Sequence, residues 1–372
     1  MAKPKRRSSA HFSARSVSLG IELETYSIAI PSYRITRELQ FPRRGVREEG
    51  ERFTKDVSIG SEYNSKVFYT LREALFLLKN GLRKYIHYRS FPEEREHRTL
   101  FPIGGWIDRF AGSHIHLALG KKRFDFFMAR GLARRLHDHI PFLIALTGNS
   151  PVWREKITPL NSNRLFRGTK TYCQITKRDT LSKQHYRELT FNPGNKRKAP
   201  TLELRVPDSG VPEYILAAAC VLKAIALRWL QKKPSYNHLT FENYLKARDQ
   251  AIRFGPDAKL FWNHHALTVP QYVDLFFRKY SEELEQLDIP DELIRVFKYL
   301  KRGSNQATVI RRSAQKSIWQ HRPTWERRFS KRYAAAVHDL LDGNSFDDFA
   351  KKLGVRLPKI DRTWLGRKDA RW

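Results

Sequence analysis

The stretch SLGIELETYS, residues 18–27, sets Leu19, Ile21 and Leu23 against Glu22 and Glu24. Alternation of apolar and polar side chains with period two marks a half-buried strand, so both carboxylates lie side by side on one face. Neighbouring carboxylates repel, which leaves two arrangements: a solvated outer face, or a face that holds a divalent cation. The same pattern returns twice. In AGSHIHLALG, His114 and His116 share a face opposite Ile115 and Leu117, and in TLELRVPDSG, Thr201, Glu203 and Arg205 oppose Leu202, Leu204 and Val206. A fourth segment, TKDVSIGSEYNS, carries Asp56 and Glu62 on either side of a glycine turn, where Asp56 either caps the turn or joins a ligand set. Glu and Asp are poor strand formers, so charges repeated on a shared face ask for a compensating partner. Carboxylates with few imidazoles are hard, oxygen-rich ligands that favour Mg²⁺ or Mn²⁺ over zinc. Arg205 adds a cationic fork suited to a phosphoryl or carboxylate oxygen, and such an arginine beside a metal cluster is the equipment of phosphoryl transfer.

The chain's 372 residues, 41% of them hydrophobic, are enough for one large domain or two ordinary ones, which excludes disorder as the main state. With only Cys173 and Cys220 there is no disulfide framework, and a reducing, cytoplasmic setting is expected. The basic N-terminus lacks the apolar run of a signal peptide and reads as a flexible arm over residues 1–15. The longest apolar segment, residues 214–230, contains Lys223 and Arg228 and follows Pro212, which fits a buried helix and not a membrane span.

Along the chain, strand patterning in VSLGIELETYSIAI, SHIHLAL and TLELRV alternates with helix patterning in TLREALFLLKNGLRKYI and in DFFMARGLARRLHDHIPFLIALTG, read as one long helix. After Pro212 the signal is nearly all helical, through FENYLKARDQAI, VPQYVDLFFRKYSEELEQL, DELIRVFKYL and YAAAVHDLLDG. Long loops are expected over residues 31–53 and 192–200. The fold class is α+β, a mainly antiparallel sheet covered by helices with a helical C-terminal portion.

At these residues the sequence resembles the carboxylate–amine ligases of the glutamine synthetase-like superfamily, within the glutamate–cysteine ligase and amidoligase branch. GIELE looks like the Glu-x-Glu opening strand of those enzymes, DVSIGSEYNS like their Asp-x-Ser/Thr…Glu segment, and GSHIHLALG like their Gly-x-His-x-His strand. PFLIALTGNSPVWREKITPLNSNRLF is similar to a helix and loop ending in a substrate-gripping Ser-x-Arg, and TLELRVPDSG to a Glu-x-Arg-x-x-Asp strand. The resemblance covers residues 17 to 230 and thins beyond them. It departs at Ser65-Lys66, where many relatives carry Ser/Thr-Pro, and in the charged insert from Arg34 to Arg52.

The resemblance implies a sheet folded as a funnel, with nucleotide and substrate entering from opposite ends. It implies an ATP-dependent ligase that forms an amide through an acyl phosphate, on glutamate or a glutamate-like carboxylate, with a small-molecule or peptide acid and an amine as substrates. By the same carry-over Glu22, Glu24, Glu62, His114 and Glu203 would hold Mg²⁺ or Mn²⁺, and His116 would approach the phosphates. Arg205 would steady the transferred phosphoryl group, Arg164 would grip the carboxylate substrate unless it only pairs with an acid, and Arg187 would contact nucleotide. A kinase acting on a guanidino group is a variant on the same fold, and a homo-oligomer is compatible with it. The divisions expected are a basic arm (1–15), a ligase core (16–235), helices packed on that core (236–345) and a basic tail (346–372).

The net charge of +32 exceeds what one nucleotide needs. Between Lys301 and Arg332 lie ten Lys and Arg residues against the single acid Glu326, with Trp319, Trp325 and Phe329 interleaved. Such a surface is a solvated basic helix with inward aromatics, a nucleic-acid surface, or a recruiter of an acidic protein or peptide substrate. A basic nucleic-acid-binding protein, or a ligase acting on a nucleic-acid-linked substrate, is therefore the alternative to a metabolite ligase.

Overall fold

A computed structural model describes residues 12–37, 46–48, 50–56, 59–88, 97–120, 124–183, 186–196, 198–320 and 322–361. Most of the expected basic arm and the last eleven residues of the expected tail lie outside them. The nine-stranded main sheet contains β1 (Val17–Ile30), β2 (Ile35–Thr36), β3 (Val46–Glu48), β4 (Glu51–Thr54), β5 (Ser61–Asn64), β6 (His97–Phe101), β7 (Ser113–Leu119), β10 (Leu189–Asn192) and β11 (Thr201–Leu204). The short pairs β8 (Val152–Trp153) with β9 (Lys156–Ile157), and β12 (Lys259–Trp262) with β13 (His265–Thr268), stand apart. The helices are α1 (Leu71–Tyr88), α2 (Phe126–His137), α3 (Ile140–Thr147), α4 (Asn163–Arg167), α5 (Pro212–Leu230), α6 (Phe241–Phe254), α7 (Val269–Lys279), α8 (Ser281–Glu285), α9 (Asp291–Lys301), α10 (Gln306–Gln320), α11 (Trp325–Leu341) and α12 (Phe346–Lys352).

The strand order is β10-β11-β7-β1-β5-β4-β3, every pairing is antiparallel, and β2 and β6 join the far end of β1. This is the α+β, largely antiparallel architecture expected from the sequence, as an open sheet and not a closed barrel. β1 is its spine. Leu19, Ile21 and Leu23 are buried on one face, which packs under α5. All residues of α5 except Trp229 are buried, as expected of a helix that is apolar all round. Its one buried amine, Lys223 Nζ, donates to the carbonyls of Ala14 and Tyr69 at 3.0 Å each and to that of Val17, tying the start of β1 to the helix. No helix among the described residues is long and apolar enough to cross a membrane.

Three expectations are corrected in detail. The long helix over residues 125–148 is two helices, because Pro141 has no N–H to bond back to α2 and sits instead in the first turn of α3. α7 and α8 are likewise separate, divided at Tyr280. The chain past residue 345 does not leave the body at once: Ser345 and Asp348 form a capping box that starts α12, and Phe346, Phe349 and Ala350 are buried.

Candidate active site

The cross-strand register carries the polar residues to one place. Glu22 lies opposite His114 on β7 and Asn64 on β5, Glu24 lies opposite Glu62, and His116 lies opposite Glu203 on β11. Directly paired residues project to the same face, so the charged residues of four short segments share the side of the sheet away from α5.

Two groups of three ligand atoms result, one around Glu22, His116 and Glu203 and the other around Glu24, Asp56 and Glu62, with the atoms of each group within 4.8 Å of one another. Glu22 Oε1 is 3.4 Å from His116 Nε2. His114 sits between the groups, its Nδ1 3.4 Å from Glu22 and 3.5 Å from Glu203, and its Nε2 3.6 Å from Glu24. Asp56 Oδ1 accepts from the Ile59 N–H at 2.8 Å, capping the turn, and its carboxylate also lies close enough to Glu24 and Glu62 to share a cation with them. Glu24 Oε2 accepts from the Gly112 N–H, Asn64 holds Glu62, and Thr201 holds His116 Nδ1 at 3.1 Å.

Electrostatics separate the groups. Burial works to raise the Glu22 and Glu203 carboxyls, but the imidazoles of His116 and His114 outweigh it and hold both below the ordinary range. Glu24 is pushed up to about 8 by burial and by Asp56, against Arg164. Glu62 is raised to about 7 by burial and by Glu22. His114 falls to about 4 through burial and the nearby Arg205, whereas the Glu22 carboxylate overcomes burial at His116 and raises it. The second group thus gathers three acids, of which Glu24 and Glu62 are raised despite the opposing Arg164 and Arg52, and a cation would favour their charged forms.

The donor set fits hard divalent cations. Each group is rich in carboxylate oxygen, and the buried Nε2 atoms of His114 and His116 have no hydrogen-bond partner, which leaves them able to ligate. Cys173 and Cys220 are buried, unpaired with each other and raised by burial to about 12, so they remain protonated thiols outside this chemistry.

The cationic residues are placed differently from one another. Arg205 lies over the first group, bonded to Glu203 and 3.4 Å from His114 Nδ1, with its buried Nε unpartnered. Arg164 is buried and not on the surface. It is 2% exposed and donates to the carbonyls of Arg205 at 2.9 Å and Val206 at 3.4 Å, while Asp208 stands 3.9 Å away. Asp208 in turn accepts from Asn149 N–H, Ser150 and Ser162, so the NSNRLF loop is clamped to the end of β11. Arg187 donates to the Ile175 carbonyl at 3.3 Å, and its backbone bridges to Gln174.

Arg52 and Thr54 complete the charged face and had no sequence assignment. They lie opposite Asn64 and Glu62, and Arg52 donates to Thr54 at 3.2 Å. The signal available was the alternation of ERFT around the buried Phe53, inside a segment that reads as a charged insert.

No protein-family model and no curated protein sequence matches the chain. Solved structures do. The Pup ligase PafA in complex with the prokaryotic ubiquitin-like protein Pup aligns with a TM-score of 0.58 at 12% identity, over 92% of this chain and 80% of that one. PafA in complex with ADP gives 0.56 at 12% identity, over 85% and 78%. A bifunctional glutathione synthetase from Pasteurella multocida gives 0.57 at 14% identity, over 91% of this chain and 56% of the synthetase. At such identities the likeness is one of fold. The chain shares its fold with the Pup ligase PafA and with part of the bifunctional glutathione synthetase.

Proposed function

We propose that the chain is an ATP-dependent carboxylate–amine ligase that requires divalent cations. The single observation that carries this is the pair of three-ligand groups anchored by consecutive outward residues of one strand, Glu22 and Glu24. The fold shared with structures named as a ligase bound to ADP and as a synthetase supports the same reading.

Glu22, His116 and Glu203 would hold one cation and Glu24, Asp56 and Glu62 another, with His114 between them. Bound cations supply the charge screening that lets an anionic carboxylate approach a triphosphate. Arg205 presents a guanidinium edge beside the first group, fixed by Glu203, and serves to carry charge on the transferred phosphoryl oxygens. His116, its Nδ1 tethered by Thr201, turns Nε2 toward the cation that would screen those phosphates. Arg164 shapes the substrate end by holding the backbone of Arg205, with any grip on a substrate carboxylate made from that position. Arg187 is assigned a peripheral nucleotide contact. The acid is a glutamate-like carboxylate, free or within a peptide, and the setting is cytoplasmic.

The test is ADP release by purified protein with Mg²⁺ across panels of acids and amines. The proposal requires release that depends on both partners, yields an amide by mass spectrometry, and is abolished in Glu22→Gln and Glu24→Gln. Failure to bind or turn over ATP with any pair refutes it.

A further inference from the structure

The basic cluster of residues 301–332 is not one uniform face. Lys301 pairs with Asp274, and Arg311 is spent on the carbonyls of Thr158, Pro159 and Leu160. Phe329 is buried and stacks on Trp106, with ring centres 5.1 Å apart. Glu326 turns inward to accept from the Trp106 indole at 2.9 Å. What remains on the outside of α10 and α11 is more selective.

Arg312, Lys316 and Trp319 recur at four and three residues along α10, the spacing of one helical stripe, and Trp319 is 85% exposed. Lys316 Nζ donates to the Gly354 carbonyl at 3.3 Å, and Arg332 donates to Ser317. A side chain added at Gly354 would meet Arg332 Nη1 at 3.3 Å and Lys316 Nζ at 3.4 Å, so these cations converge on the same spot. Arg328 precedes Arg332 by four residues on α11, one helical turn, which places a third cation beside them. Among the described residues no carboxylate pairs with any of the three. Asp339, the remaining acid of α11, is held by Lys352.

We propose that the α10–α11 hairpin binds single-stranded nucleic acid, with Arg312, Lys316, Arg328 and Arg332 tracking phosphates and Trp319 stacking on a base. Convergent cations without carboxylate partners suit any polyanion. The exposed indole decides between them. A flat aromatic beside a cationic track is the arrangement on which bases stack, whereas an acidic polypeptide would gain from the cations and little from the ring face. Duplex is disfavoured because its bases are already stacked. The surface lies on the shell over the main sheet, since α11 rests through Phe329 on Trp106, in the loop that leads to Gly112, whose N–H bonds Glu24.

The experiment is fluorescence anisotropy on the full chain with labelled single strands of DNA and RNA, a duplex, and poly-glutamate, all about twenty units long, titrated across about 50 to 200 mM salt. Single strands should bind most tightly, with affinity falling as salt rises. Trp319→Ala should weaken single-strand binding about tenfold and leave poly-glutamate unchanged, and Trp319→Phe should recover most of the loss. The combined Arg312→Gln, Lys316→Gln and Arg328→Gln variant should reduce the salt slope by about two. The proposal is overturned if Trp319→Ala binds single strands like the parent, or if poly-glutamate or duplex binds as tightly as the single strand. Unchanged thermal unfolding of each variant confirms that the fold is intact.

Discussion

Glu24 Oε2 accepts the backbone N–H of Gly112 at 2.5 Å while Oε1 of the same carboxyl faces His114 Nε2 at 3.6 Å. One oxygen is fixed by the backbone that leads into β7 and the other is directed into the site. A buried carboxyl placed this way, beside Asp56 and Glu62, retains its proton to about pH 8.

A first prediction concerns stability against pH. Because the folded Glu24 and Glu62 bind protons more tightly than the unfolded chain, their contribution is complete below about 4.5 and is lost as pH rises through about 7 for Glu62 and about 8 for Glu24. His116, also raised, acts in the same sense, and Lys223, lowered to about 8, opposes it only above that pH. Metal-free protein should therefore lose on the order of 2–3 kcal/mol between about pH 6.5 and 8. Mg²⁺ should restore it, and Glu24→Gln should flatten the slope. Thermal unfolding at several pH values, with and without Mg²⁺, reads all three effects.

Metal titration separates the two groups. Calorimetry with Mn²⁺ should resolve two binding steps, of which Glu203→Gln weakens one and Glu62→Gln the other, each by at least about tenfold. Loss of both steps in either variant would mean a single shared site.

Arg164 and Asp208 make a third case. Arg164→Met leaves the buried Asp208 carboxylate without its cation and should cost about 3–5 kcal/mol in chemical denaturation. Adding Asp208→Asn should recover part of that loss. If Arg164→Met unfolds like the parent, the clamp between the NSNRLF loop and β11 is not structural.

The cysteines provide an inexpensive check. Both thiols are buried and held near 12, so native protein should resist a thiol reagent at neutral pH and react fully only after unfolding. Activity should be indifferent to reductant.

The parts of this site that were legible from residues alone are those on half-buried strands. β1 and β7 run over the segments marked by alternation, because one face of each packs on helices and the other carries charge. Arg52 and Thr54 escaped notice because β4 has four residues, too few for a period to stand out from the charged segment around it. Arg164 has an unforeseen posture, since its strongest partners are main-chain carbonyls, which leave no trace in side-chain chemistry. α10 was muted by Ser313 and Ser317, which are buried and bonded to the Leu353 and Ser313 carbonyls, so its inward stripe is partly polar.

β1 is hydrogen-bonded along both edges at Glu22 and Leu23, to β7 on one side and β5 on the other. Sliding it by a single position would drive both acids into the hydrocarbon beneath α5 and turn Ile21 and Leu23 outward. The geometry of the charged face is therefore written into the same ladder that makes the sheet. Loops and outer helices are free to acquire new partners, while the spacing of the anionic centre cannot drift without unmaking the molecule.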